Sequence, residues 1–323
     1  MVLNIYAQWH NNSINSLTAF AGTPTRRAAS PLYPTCLRPL LKSYTPRRIK
    51  RLFRYILALI FSISFSALGQ TKQIQVDDVS IEYLDFGKGK YTFVFESGVG
   101  MGVNYWDSFL PFADRLNSRV IIYSRAGNGS SSDSSKVSLE RSLLRLEKLL
   151  FQLNAQDNLI LVGHSFGGFH ARNFAHNFVD RVSGLVLLDP SHELFQKELE
   201  AIDPEKAKND NARLNSILKN QPEWQILQDI YTNNVLFPSQ PTHNVPTVIV
   251  TSSQIGESDW WIGHSEKGKI AWRALHQELI SNNSISTHIV TDKVGHNLPI
   301  QDPEFTFKAI KSVLELVEGV DFP

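Results

Sequence analysis

LILVGHSFGGFHARNF, residues 159–174, passes from a short apolar run into a longer amphipathic one across a serine framed by glycines. Leu159–Val162 reads as a strand covered on both faces, and Phe166–Asn177, with Phe169, Ala171 and Phe174 on one side, reads as a helix. A serine held at so sharp a strand-to-helix turn takes a strained backbone conformation. Gly163 and Gly167, two residues to either side, relieve the crowding and expose the Ser165 hydroxyl above the sheet. The helix that follows points its first N–H groups and its dipole toward negative charge developing on a reacting group. The turn therefore reads as a nucleophile mount.

Outward from this turn the same alternation repeats. Ile74–Val76 and Ser80–Phe86 predict a starting hairpin. Tyr91–Phe95, Val120–Tyr123, Leu185–Leu188 and Thr247–Val250 predict buried strands, and Thr287–Val290 is strand-like. Leu139–Leu153 and Glu304–Glu318 predict helices with leucine, isoleucine and phenylalanine stripes. Strands alternating with helices predict an α/β domain with a mostly parallel central sheet flanked by helices. The 58 residues between Leu188 and Thr247 break the rhythm. They predict helices over Glu193–Ala207, Ala212–Leu218 and Trp224–Tyr231, punctuated by four X-Pro pairs up to Gln240-Pro241. That length is too great for an ordinary loop and suits a helical cap, about residues 190–246, inserted after the sixth strand.

Charge divides the chain. The first acidic residue is Asp77, while residues 1–69 carry nine Lys and Arg. The remainder is acidic overall, with no electrostatic footprint for nucleic acid. Arg47, Arg48, Lys50, Arg51 and Arg54 precede the apolar run Tyr55–Leu68, followed by the small-residue site Ala67-Leu68-Gly69. Fourteen residues is short for a bilayer span and suits a signal-peptide core. Residues 1–69 are thus expected to be a leader for export to the periplasm or exterior, cleaved before Gln70, leaving residues 70–323 as the α/β domain. The rival expectations are an uncleaved anchor over residues 52–68, the one route to membrane contact, and an organellar transit segment. Residues 1–45 read as low-order sequence. The single cysteine, Cys36, lies in the leader, so thiolate chemistry and cysteine-ligated zinc are not expected. The ten histidines show no metal-binding spacing, and no metal or other cofactor is expected.

From about Asp78 onward the sequence resembles the α/β-hydrolase fold family. The resemblance rests on Gly163–Gly167, on Ser97-Gly98-Val99-Gly100 after the third strand and on Ser124-Arg125-Ala126-Gly127-Asn128-Gly129-Ser130 after the fourth. It extends to Leu187-Leu188-Asp189-Pro190 after the sixth strand and to Val294-Gly295-His296 before the last helix. Two positions depart from the usual family pattern, with Ser97 where His is usual and Ser124 where many members have Asp; neither removes a reacting group. The resemblance implies Ser165 as nucleophile, His296 as general base, and backbone N–H donors of Val99 and Phe166 as an oxyanion hole. His164 reads as packing or as support for the site, because the turn aims it away from the nucleophile. The acid that orients the base is open among three residues. Asp189 is preferred at the family's less common position, with Asp259 and Glu257 as alternatives after the seventh strand, where Thr251–Gly256 holds no carboxylate.

The expected function is hydrolysis of a small-molecule carboxylic ester through an acyl-enzyme. Cap and rim aromatics (Phe195, Trp224, Tyr231, Phe237, Trp260, Trp261) suggest an apolar substrate group. An aminopeptidase or amidase is the enzyme alternative, with Glu193, Glu198 and Glu200 as possible partners for a free amine. A ligand-binding protein of the same fold without turnover is the non-enzyme alternative.

Overall fold

A computed structural model describes residues 70–134, 137–233 and 245–319. The leader with Cys36, the 52–68 run, and cap residues Phe237 and Pro241 lie outside the described residues. Eight strands form one sheet: β1 (Lys72–Val76), β2 (Val79–Phe86), β3 (Thr92–Glu96), β4 (Arg119–Tyr123), β5 (Leu159–His164), β6 (Val182–Leu188), β7 (Thr247–Ser252) and β8 (Ser286–Thr291). Their order is β1-β2-β4-β3-β5-β6-β7-β8. The first hairpin is antiparallel and β2 joins β4 antiparallel; every later pairing is parallel.

The pleat explains why the strands read as continuous apolar runs. On β3, Val94 faces a layer that holds Ile121, Leu161, Leu187 and Ile249. Phe93 and Phe95 face the other layer, with Ile122, Ile160, Val186 and Val248. Both faces are covered. Helices α1 (Leu139–Gln152) and α2 (Gly167–Asn177) close the first face with Leu146, Leu149, Leu150, Ala171 and Phe174. Opposite, Trp106 and Phe109 on short turns join the C-terminal helix in closing the second face. Each such fully buried side chain contributes about 1.5–3 kcal/mol.

Between β6 and β7 the described residues form α3 (Phe195–Ile202), α4 (Pro204–Leu218) and α5 (Pro222–Asn233). The single helix expected over Glu193–Ala207 is divided in the structure. Asp203 leaves the helical conformation and its side chain accepts from the Lys206 N–H at 2.9 Å, while Pro204 takes the first helical position. A cap residue and a proline together outrank the continuous polar pattern. Two further long helices follow, α6 (Glu266–Glu278) after β7 and α7 (Pro303–Glu318) after β8. The expected C-terminal helix corresponds to α7, whose Phe307, Ile310 and Val313 enter the core.

Candidate active site

Ser165 lies between β5 and α2 with φ +53, a left-handed conformation that a non-glycine residue adopts at a cost. Its N–H donates to the Leu188 carbonyl at 3.1 Å, and its own carbonyl accepts from the Gly168 and Ser191 N–H groups, each at 2.9 Å. The flanking glycines are sterically required. A Cβ on Gly163 would stand 2.6 Å from the Gly167 carbonyl oxygen, and one on Gly167 would collide with the Glu96 carbonyl.

His296 and Asp189, 107 residues apart, meet where the sheet's C-terminal edge converges. His296 Nδ1 and Asp189 Oδ2 are 2.7 Å apart. Asp189 also has a positive φ, +45, at the end of β6 and is buried. Its other oxygen, Oδ1, accepts from the Ser252 N–H at 2.8 Å and from the Trp272 indole N–H at 2.7 Å. Burial alone would raise the carboxyl's pKa; the hydrogen bond and charge of His296, aided by Lys269 and His276, outweigh it and hold Asp189 below the usual carboxylate range. The alternatives are elsewhere. Asp259 is exposed and pairs with Lys206 at 3.1 Å, and Glu257 is exposed.

The end of β7 contributes a backbone donor, from Ser252, rather than a carboxylate. Trp272 on α6 is the residue that sequence reasoning missed. No local motif marks it, and its indole meets Asp189 across 83 residues of chain. His276 on the same helix is buried; it lies 2.7 Å from the Pro190 carbonyl and 2.6 Å from the Thr251 hydroxyl, and burial pushes its pKa down to about 3.

His164 is fully buried, as its place beside the nucleophile suggested. Its Nε2–H donates to the His296 backbone carbonyl at 2.8 Å and lies 3.1 Å from the Tyr105 hydroxyl, whose ring stacks on it. Burial first, then the neighbouring His296, pushes its pKa down to about 3, so it is neutral near pH 7. It braces the loop that carries His296.

The two departures from the family pattern have structural work. Ser97 Oγ accepts from the Trp106 indole at 2.9 Å. Ser124 Oγ accepts from the Val103 N–H at 2.9 Å and donates to Glu82 at 2.7 Å. The side chains of Val99 and Phe166 both belong to an apolar cluster with Trp224, Leu227 and Ile230 of α5, so the cap packs against both residues expected to supply oxyanion donors. Among the described residues no group of three His, Cys, Asp or Glu side chains converges to hold a metal.

The cap and rim aromatics are mostly occupied in packing. Trp224 is buried and donates to Asn215 at 3.1 Å; Phe195 packs on Trp272 and Trp261, with ring centres 4.3 and 5.8 Å apart; Trp260 lies under the Arg213 guanidinium. Glu193, one of the acids considered for an amine pocket, is buried and forms a two-pronged ion pair with Arg172. Glu200 is exposed and accepts from Gln196.

A sequence profile of the alpha/beta hydrolase fold family matches residues 91–213, the stretch from β3 through the nucleophile turn into the cap. The chain has the α/β-hydrolase fold. Two curated relatives match part of the chain. A 2-hydroxy-6-oxononadienedioate/2-hydroxy-6-oxononatrienedioate hydrolase of Paraburkholderia phymatum is 34% identical over 116 residues, 34% of this chain and 40% of that protein. A proline iminopeptidase of Saccharolobus solfataricus is 33% identical over 86 residues, 25% of this chain and 28% of that protein. The matches thus span less than half the length of either relative. The mouse alpha/beta hydrolase domain-containing protein 10 superposes with a TM-score of 0.59 at 14% identity, over 76% of this chain and 99% of its own. That likeness establishes the α/β-hydrolase architecture.

Proposed function

We propose that this hydrolase-fold chain is a serine hydrolase that cleaves carboxylic esters through an acyl-enzyme on Ser165. The observation that carries the reading is the 2.7 Å contact between Asp189 and His296 Nδ1, formed at the sheet edge where Ser165 is mounted on its strained turn. With Nδ1–H held by the carboxylate, Nε2 of His296 is the free base of the ring. It takes the Ser165 proton as Oγ attacks the ester carbonyl. The N–H groups of Val99 and Phe166 receive the negative charge that develops on the carbonyl oxygen. The imidazolium returns its proton to the departing alcohol, and water, activated by the same ring, releases the acid and restores Ser165.

The apolar side chains of α5 over Val99 and Phe166 support an acyl or alcohol group of apolar character. An amine-recognising peptidase finds less support, because the buried carboxylate Glu193 is already neutralised by Arg172. The leader remains part of the proposal as a separate segment: residues 1–69 direct export, with cleavage near Gln70, on the strength of the basic cluster and the 14-residue apolar run. The test is a fluorophosphonate probe with wild type and Ser165→Ala, followed by a panel of p-nitrophenyl esters and aminoacyl anilides. Labelling lost in the variant, with turnover of esters but not anilides, is the expected result. Preferential turnover of anilides would assign a peptidase. A folded wild type that neither labels nor turns over either class would make it a binding protein.

A further inference from the structure

Three buried charges lie beside the proposed oxyanion hole, and the chemistry above uses none of them. Arg125 follows β4, Glu96 ends β3, and Glu223 stands in the first turn of the cap helix α5; they are 4%, 1% and 2% exposed. Arg125 donates from Nη1 to Glu96 at 2.8 Å, from Nε to Glu223 Oε1 at 2.5 Å and from Nη2 to Glu223 Oε2 at 3.0 Å. Tyr123 closes the far end with a hydrogen bond to Glu96. Burial opposes the Arg125 charge, but Glu223 and then Glu96 outweigh it and hold the guanidinium's pKa above its ordinary value.

The backbone contacts of this cluster give it a direction. Arg125 Nη2 also donates to the Gly98 carbonyl at 3.0 Å, and Glu223 Oε2 accepts from the Gly100 N–H at 3.0 Å. The Gly98 carbonyl and the Val99 N–H belong to one planar, trans peptide unit and point in opposite directions. Fixing the carbonyl on Arg125 therefore fixes where the Val99 N–H points. Glu223 holds the next peptide unit in turn, at a glycine with φ +69 that would otherwise rotate easily. Stability does not account for such a cluster, since buried ion pairs often contribute no more than apolar side chains of equal volume.

We propose that Arg125 and Glu223 are positioning residues that aim the Val99 N–H into the active site, so that the oxyanion hole is complete only while cap helix α5 is seated. This rests on the reading of Ser165 as nucleophile and Val99 as oxyanion donor. The cap thereby reaches the chemistry through a hydrogen-bonded relay as well as through the shape of the pocket.

The test compares wild type, Glu223→Gln and Glu223→Leu on p-nitrophenyl acetate. Inhibition by butylboronic acid, which forms a tetrahedral adduct on the serine, and melting temperature are measured alongside. The leucine variant is expected to lose about 10- to 100-fold in kcat, with KM within about threefold, and to lose boronate affinity by a similar factor. The glutamine variant keeps an acceptor for Gly100 and is expected to lose about three- to tenfold in both. A folded leucine variant with wild-type kcat overturns the proposal, as does a kcat loss with unchanged boronate affinity. If the leucine variant does not fold, the glutamine variant decides by the same pair of readouts. If wild type itself shows neither ester turnover nor fluorophosphonate labelling, the hydrolase reading fails and takes this one with it. An active, labelled wild type with unaffected variants defeats this inference alone.

Discussion

Asp189 and Glu223 are both buried carboxylates beside the same active site, yet they are held in opposite ways. Asp189 is gripped by the frame: its own strand β6, the end of β7 through the Ser252 N–H, and α6 through Trp272. Glu223 arrives on the inserted cap and is gripped by a charge, Arg125, on the loop after β4. The first corner is assembled by folding the core. The second needs the insertion to dock. Parts of a site carried by the frame can be specified by short motifs at strand ends, whereas parts carried by an insertion depend on contacts made across the fold.

That comparison can be broken or sharpened by mutation. At the frame-held corner the effects should be largest. Ser165→Ala should lower kcat by about 10⁴-fold or more, and Asp189→Asn by about 10²–10⁴, since the amide favours the wrong imidazole tautomer. Asp259→Asn and Glu257→Gln, both exposed, should stay within about tenfold of wild type on the same activated ester. A collapse in either, with Asp189→Asn active, would move the acid to the loop after β7.

Next in size is Trp272→Phe, which keeps the ring packed against Phe195 but removes one of the two donors to Asp189 Oδ1. A hydrogen bond to a charged group contributes about 1.5–3 kcal/mol. Kinetics and a thermal melt together should show kcat falling about three- to tenfold with a lowered melting temperature. An unchanged kcat would mean Ser252 alone suffices to seat the acid.

Trp224→Ala probes the cap-held corner by a different route. Because the side chain is buried and bonded to Asn215, kcat/KM should fall by a similar factor for acetyl and long-chain esters, with the chain-length preference kept within about twofold. A selective loss on long chains would instead place the tryptophan in the substrate's path, as its apolar character first suggested.

A pH dependence belongs to the frame-held corner alone. His164 and His276 have folded-state pKa values pushed down to about 3 by burial, below the ordinary unfolded value of about 6.5. Between those values the unfolded chain binds more protons, so stability falls as pH falls from about 6.5 toward 3. Melting temperatures recorded from pH 7 to pH 4 should decline steadily through this window. A flat profile would mean these histidines are not buried as neutral rings.

The frame was legible because strands buried on both faces spell continuous apolar runs, and because Gly163 and Gly167 are demanded by backbone contacts that no side chain could tolerate. The Asp189–His296 pairing was legible only as one of three choices, since sequence order does not say which carboxylate a loop will bring to Nδ1. Helix α6 stayed hidden. Its inward face mixes Trp272 and Leu275 with buried Lys269 and His276, while Ile270 points outward, so no clean apolar stripe announces it. Glu223 stands just before the helix expected over Trp224–Tyr231, with no motif around it, and its partner Arg125 lies 98 residues earlier.

The left-handed backbone at Ser165 carries a consequence for how such a protein can be improved. A glycine there would release strain of about 1–2 kcal/mol while adding back up to about 1 kcal/mol of unfolded-chain entropy, leaving the fold as stable or slightly more so. Selection for heat resistance alone would therefore drift toward Ser165→Gly, and every such gain would be bought with the hydroxyl proposed as the nucleophile. On the proposed reading, durability and turnover are competing traits at this position.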